Sequence, residues 1–274
     1  MSSIAVTPLR ALNISVKLWF LFALTGQLMF AIYIAFRYGL PVITGHLEQM
    51  NLSTHITGYV DGDTSGNGML LMHIFGAAIL STSGMLQLVP SLRTRYPNVH
   101  KINGRLFMAL GLLGALSGLY LTWLRGTRLS DIGAIGISLN GVLIIVAIYY
   151  AWRYAIQKNI AQHMRWAVHA FFLVNAVWTL RLFLMAWYLT TQGLGNNRTL
   201  DGPADIGLSF ACYLLPMGLA ELYFWAKRQH DSRRQWWVVG AMSLGAIITL
   251  VGVTAAITVM WLPRIGVAIS ALSA

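Results

Sequence analysis

Charge is scarce in this chain. Only 10% of its 274 residues are Asp, Glu, Lys or Arg, and eight acidic residues face nineteen basic ones. Soluble domains carry roughly 25% charged residues, so a water-facing surface cannot be assembled from this supply. Cysteine is scarcer still. Cys212 stands alone, which excludes a disulfide framework and leaves the redox compartment undefined. Missing too are G-x-x-x-x-G-K-[S/T], H-E-x-x-H, G-x-S-x-G and C-x-x-C. Phosphate loops, zinc peptidase helices, nucleophile elbows and dithiol sites are therefore not expected.

Apolar length takes their place. Hydrophobic residues make up 57% of the chain and mean hydropathy is +0.64. Runs of about 20 apolar residues, enough to cross a bilayer, recur near 18–36, 69–89, 104–124, 132–151, 166–190, 206–226 and 236–262. Glycines sit inside them, as Gly111, Gly114 and Gly118 do in the third, in the manner of closely packed membrane helices. Ten-residue alternating segments of a transmembrane barrel are not seen. The pattern predicts an all-α polytopic membrane protein of about seven transmembrane helices, one integral domain over 1–274. Arg10 and Lys17 precede the first run, and no A-x-A cleavage site follows it, which predicts a retained helix rather than a secretory signal.

The net charge of +11 invites a nucleic-acid reading that the positions reject. With a cytoplasmic N-terminus, thirteen Lys and Arg fall in inner segments, while Arg37, Arg125, Arg128, Arg198 and Arg264 fall outside. That bias is the positive-inside rule. It makes the basic excess a topological signal and a contact for anionic lipid headgroups, and no nucleic acid is expected as partner.

Two outer loops, 37–68 and 191–205, are long. The first ends in DGDTSGNG, which begins like a calcium loop but has Met72 where the bidentate Glu belongs; a Gly-rich turn is expected. His46 and His55 are expected as solvated loop residues. The only metal alternative, a zinc site of His46, His55 and His73, is disfavoured.

An ionisable group inside a span is a functional hypothesis by default. On the inner side, Gln87 closes the second run, His100 and Arg105 open the third, and His163 and Arg165 open the fifth. His169 follows about 9 Å deeper along the axis, and Glu221, the one carboxylate in any run, lies at similar depth in the sixth. These groups predict a polar pocket facing the cytoplasm. Outside lie His73 and Arg181, a thinner second pocket, with Asn140 and Asn175 near mid-membrane. At about 100° per residue, a continuous helix puts His163 and Arg181 on one face and His169 about 120° away. The competing readings are structural: histidines snorkelling to headgroups, Glu221 pairing helices, Arg181 satisfying carbonyls. The ten tryptophans mark interfaces.

The run His73, Gly84, Gln87, Pro90, Arg93, Pro97, His100, Lys101, Gly104, Arg105 resembles the signature of an uncharacterised bacterial membrane-protein family, a domain of unknown function. A second block, His163, Trp166 and Arg181, and the later Glu221 match as well. That family usually has Arg where this chain has His169. The resemblance covers about 69–226 and implies a helical fold and a bacterial inner-membrane location, without an activity. The arrangement of imidazoles is also loosely similar to transmembrane cytochromes b.

The favoured function is redox-linked. His100, His163 and His169 offer imidazoles near one depth for a single haem b, with Arg105 beside a propionate. Alternatively, a quinone sits beside a His–Glu or His–Gln pair. A membrane redox partner would follow. The alternatives are a transporter of protons or a small anion, and an accessory subunit whose polar groups only fix packing. Metal-dependent hydrolysis has too few ligands. No catalytic residue is assigned.

Overall fold

A computed structural model describes residues 7–51, 58–128 and 130–271, with helices and no strand among them. Span one is α1 (Pro8–Ile34), carried through a π-helical stretch at Ala35–Gly39 into the short α2 (Leu40–Thr44). Span two is α3 (Thr64–Gln87). A short α4 (Pro90–Arg95) separates it from span three, α5 (Pro97–Trp123), and span four is α6 (Asp131–Ile156). Span five comes in two pieces, α7 (Ile160–Val174) and α8 (Ala176–Thr191), bent by 58°. Span six is α9 (Pro203–Ala226). Span seven is α10 (Ser232–Ala255), extended through a second π-helical stretch at Ala256–Trp261 into α11 (Leu262–Ser270). Six segments are long and apolar enough to cross a membrane alone, and the bent pair makes seven.

Helix starts follow from short polar caps. Asp63, Ser130, Asn159 and Asp231 each accept a backbone N–H from the first turn of α3, α6, α7 and α10, the role for which such residues are preferred. Pro97 and Pro203 open α5 and α9, where the missing N–H has no intrahelical partner to lose. The terminal spans run longer than their apolar runs, 8–44 and 232–270, because both π stretches keep the helix going towards Pro41 and Pro263. Arg37 is thereby corrected from an outer-loop residue to a buried one, donating to the carbonyls of Gln49 (2.8 Å) and Met50 (3.1 Å).

The DGDT stretch is a helix start rather than a cation loop. Asp63 accepts the Gly66 N–H at 2.8 Å and pairs with Arg125 Nε at 3.0 Å. The Gly66 N–H, with Arg125 behind it, holds this carboxyl below the usual aspartate range. A depressed pKa gives stabilisation that is complete above about pH 4 and fades as the pH falls through the folded value. The exchange protection of the Gly66 amide is therefore expected to be flat from neutral pH down to that point and to decline below it. Asp63→Asn should flatten the decline; protection that holds at acid pH in the native chain would refute the cap. Of the other loop residues, His46 lies beside Glu48 in the open, and His55 falls outside the described residues.

Apolar side chains cover the outer faces of the bundle all round, including Leu21, Ile79, Leu116, Ile135, Leu215 and Ile247. In water such surface would aggregate; hydrocarbon is its proper solvent. The buried residues form two main cores. One joins Phe30, Leu80, Phe107, Phe171, Trp178 and Trp261, and the other Ala115, Ile144, Leu173, Cys212 and Tyr213. Span five lies between them: α7 packs on α5, α6 and α9, and α8 on α9 and α10. The approach of α10 to α8 requires glycine, since a Cβ at Gly252 would stand 2.6 Å from the Leu182 carbonyl oxygen.

Candidate functional site: two polar clusters on a broken span

Asn159 caps α7 through the Gln162 N–H, and this fixes where its polar residues point. Arg165 and His169, four apart, share the face turned to α9. There Glu221 takes the guanidinium in a two-pronged bond, Nε–Oε1 at 2.7 Å and Nη2–Oε2 at 2.6 Å. His169 Nε2 approaches Oε1 of the same carboxylate at 2.6 Å. The imidazole is 7% exposed, stands edge-on to Trp166, and its buried Nδ1 has no partner. Forked charge-assisted bonds of this kind are among the strongest in proteins.

His163 goes elsewhere, as the helical phase requires: its Nδ1 is 2.9 Å from the Ala151 carbonyl on α6. His163 is an electrostatic neighbour of His100, whose Nδ1 is buried without a partner. Gln87 donates to the His100 carbonyl at 3.2 Å and tops the backbone at Gly104, tying α3 to α5. Arg105 is exposed and joins neither group among the described residues. The single inner pocket expected from depth alone is thus two sets. Arg165, His169 and Glu221 form one between α7 and α9, while Gln87, His100 and His163 border the other, because α7 stands between α5 and α9.

Between the inner and outer halves, the helix gives way at Asn175. Its side chain donates to the Phe171 carbonyl (2.8 Å) and accepts from Gln27 Nε2 (2.8 Å), while Asn140 Nδ2 reaches the Leu173 carbonyl (3.1 Å). Three amides from α1, α6 and span five therefore meet the break, with Gln27 Oε1 and Asn140 Oδ1 buried and unpartnered. The bend also overturns the expectation that His163 and Arg181 share one helical face.

In the outer half, His73 Nδ1 meets Ser117 Oγ at 2.9 Å. Arg181 on α8 donates to the Val177 carbonyl at 3.0 Å, and its guanidinium lies over the Phe30 ring at 5.3 Å. His73, Tyr33, Tyr38 and Arg264 are its electrostatic neighbours. Sequence reasoning paired His73 with Arg181 but missed Phe30, Tyr33, Tyr38 and Trp261. Those lie in spans one and seven, where apolar runs give aromatic residues no distinguishing signal.

A family model described as predicted membrane protein (DUF2306) matches residues 70–224, more than half of the chain. The protein belongs to that family. DUF2306 is a domain of unknown function, and its matched region takes in the inner cluster with His73 and Arg181 of the outer one, while leaving out spans one and seven and with them Phe30, Tyr33, Tyr38 and Trp261. No curated protein and no solved structure matches the chain, so the likeness to cytochromes b has no support.

The geometry gives haem and quinone none either. His169 is spent on Glu221. About two helical turns beyond His100 and His163, the space between α5 and α7 is filled by the near-parallel rings of Phe107 and Phe171, 6.4 Å apart. They close on Gly84 so tightly that a methyl there would stand 2.9 Å from Phe107, and a flat macrocycle has no slot between them. The His–Glu pair is occupied on its carboxylate by Arg165, and Gln87 is turned to backbone, so neither faces an open quinone slot. No redox partner is shown.

Proposed function

We propose that this protein is a membrane transporter that carries protons or a small anion along span five. The observation behind the reading is the break at Asn175, with Arg165, His169 and Glu221 on its inner side and Arg181 on its outer side. Helices interrupted near mid-membrane, with backbone and side-chain polar groups turned inward, are how many transporters build their solute sites. Irregular backbone is tolerated at that depth only where protein buries it or where it lines a cavity. His169 and Arg181 are six residues to either side of Asn175, about 16 Å apart along the bent span, so the two clusters and the amides between them cover about half of the hydrocarbon thickness of about 30 Å. The unpartnered oxygens of Gln27 and Asn140 are acceptors that a permeating solute or water would satisfy.

The test is flux. Proteoliposomes enclosing a pH-sensitive dye are expected to acidify after an external acid step at a protein-dependent rate. Glu221→Gln is expected to slow this by about tenfold, since it removes the carboxylate that holds the inner cluster together. If neither protons nor any small anion crosses faster than in protein-free vesicles, the transport reading falls.

A further inference from the structure

Arg181 is a cation without a counter-ion among the described residues. All eight acidic residues are described, and none pairs with it or is among its electrostatic neighbours; those neighbours are Tyr33, Tyr38, Arg264 and His73. Of its N–H groups, one is used, on the Val177 carbonyl. A guanidinium held at membrane depth is costly unless something satisfies it. It is not sealed off either, being half-buried rather than buried.

The surroundings are aromatic and rich in donors. Phe30 lies beneath the guanidinium, and Trp261 packs on Phe30 at 5.6 Å and on Tyr33 at 6.4 Å. Tyr38 stands edge-on to Tyr33 at 6.1 Å. Trp261 is wholly buried, yet its indole N–H has no acceptor. A buried donor without a partner is expensive, and this one adjoins the ring that supports Arg181. The π-helical stretches contribute directly, since Tyr38 lies in the first and Trp261 ends the second. Such stretches are frequent at functional positions.

We propose that this outer cluster binds a small organic carboxylate, with its charged end on Arg181 and its apolar body against the aromatic group of Phe30, Tyr33, Tyr38 and Trp261. The inference deepens the transport reading by naming the substrate class. Planar guanidinium and planar carboxylate match in two parallel bonds. The ring walls suit a hydrocarbon body and cannot rehydrate a compact inorganic ion. A doubly charged phosphate would ask for more cationic donors than Arg181 and its neighbour Arg264 provide.

Calorimetric titration of the purified full-length protein in detergent with benzoate is expected to show saturable binding. Arg181→Lys keeps the charge but loses the fork, and is expected to weaken binding by about tenfold, the worth of one charge-assisted hydrogen bond. Trp261→Phe keeps the core filled and should weaken it less. Inorganic phosphate is the contrasting probe, expected to give no heat. The carboxylate site is overturned if benzoate does not bind, if Arg181→Lys binds it as the native chain does, or if phosphate binds as tightly. Decanoate delivered in the micelle reports the source: displacement of benzoate supports a carboxylate arriving from the lipid, and absence of displacement supports one arriving from water. Benzoate binding with no protein-dependent flux of benzoate, protons or any other small anion in vesicles would sink transport and keep the site. Proton flux sensitive to Glu221→Gln with no benzoate binding would do the reverse.

Discussion

Glu221→Ala is expected to cost the folded bundle about 2 kcal/mol, more than either Arg165→Ala or His169→Ala. The carboxylate receives three hydrogen bonds, two from Arg165 and one from His169. Deleting it strands a guanidinium and a buried imidazole together, whereas deleting either donor leaves the other in place. Breaking a fully buried pair costs about 3–5 kcal/mol. The Arg165 side chain is 44% exposed, however, and Glu221 32%, so water and headgroups recover part of that loss. Glu221→Gln should fall between, because the amide oxygen still accepts one bond. Thermal unfolding in detergent measures the order. If Glu221→Ala unfolds with the native chain, the three groups are not coupled, and the inner cluster is only a chance meeting at the interface. In a double-mutant cycle, Arg165→Met with Glu221→Leu should recover part of the loss, since paired apolar replacement of a buried ion pair is often neutral while His169 is left without its acceptor.

How far the sequence carried depends on which signal each feature leaves. Seven spans were legible because 20 apolar residues in a row have few alternatives, and the similar depth of His169 and Glu221 left helix pairing by Glu221 as a competing reading. Depth alone could not tell that α7 stands between α5 and α9. Hence Arg105, placed by depth in the same pocket, is exposed, and His100 is bonded to Gln87 with His163 as an electrostatic neighbour. Helical phase separated His163 from His169 correctly, because both lie on the unbroken α7. The same arithmetic failed for Arg181, which lies beyond the bend. The terminal spans were underestimated at their outer ends for a related reason: Arg37 and Arg264 read as loop charges, and nothing in AFRYG or AITVMW announces that a π stretch continues the helix past them.

The break itself hides in the sequence because span five contains neither proline nor glycine at the bend; VNAV reads as ordinary helix with one amide. The fold therefore uses a side chain to do what proline usually does. Asn175 satisfies the Phe171 carbonyl with its own Nδ2 and holds Gln27 with its Oδ1. Asn175→Leu is expected to cost about 2 kcal/mol, since both buried bonds go and hydrogen bonds between membrane helices reach at most about 1.7 kcal/mol each. Much of that cost is the orphaned Gln27, whose Oε1 already lacks a partner. Gln27→Leu added to Asn175→Leu should then restore part of the lost stability, because removing both polar partners avoids the penalty of leaving one unpaired. Simple additivity of the two losses would show that the amides are not coupled and that something else bends the helix. The restored double variant also separates fold from function. Its bundle would be stable but its mid-membrane polar bridge gone, and vesicle flux should remain low although unfolding is back near the native temperature. Flux returning together with stability would mean that the solute path does not run through Asn175.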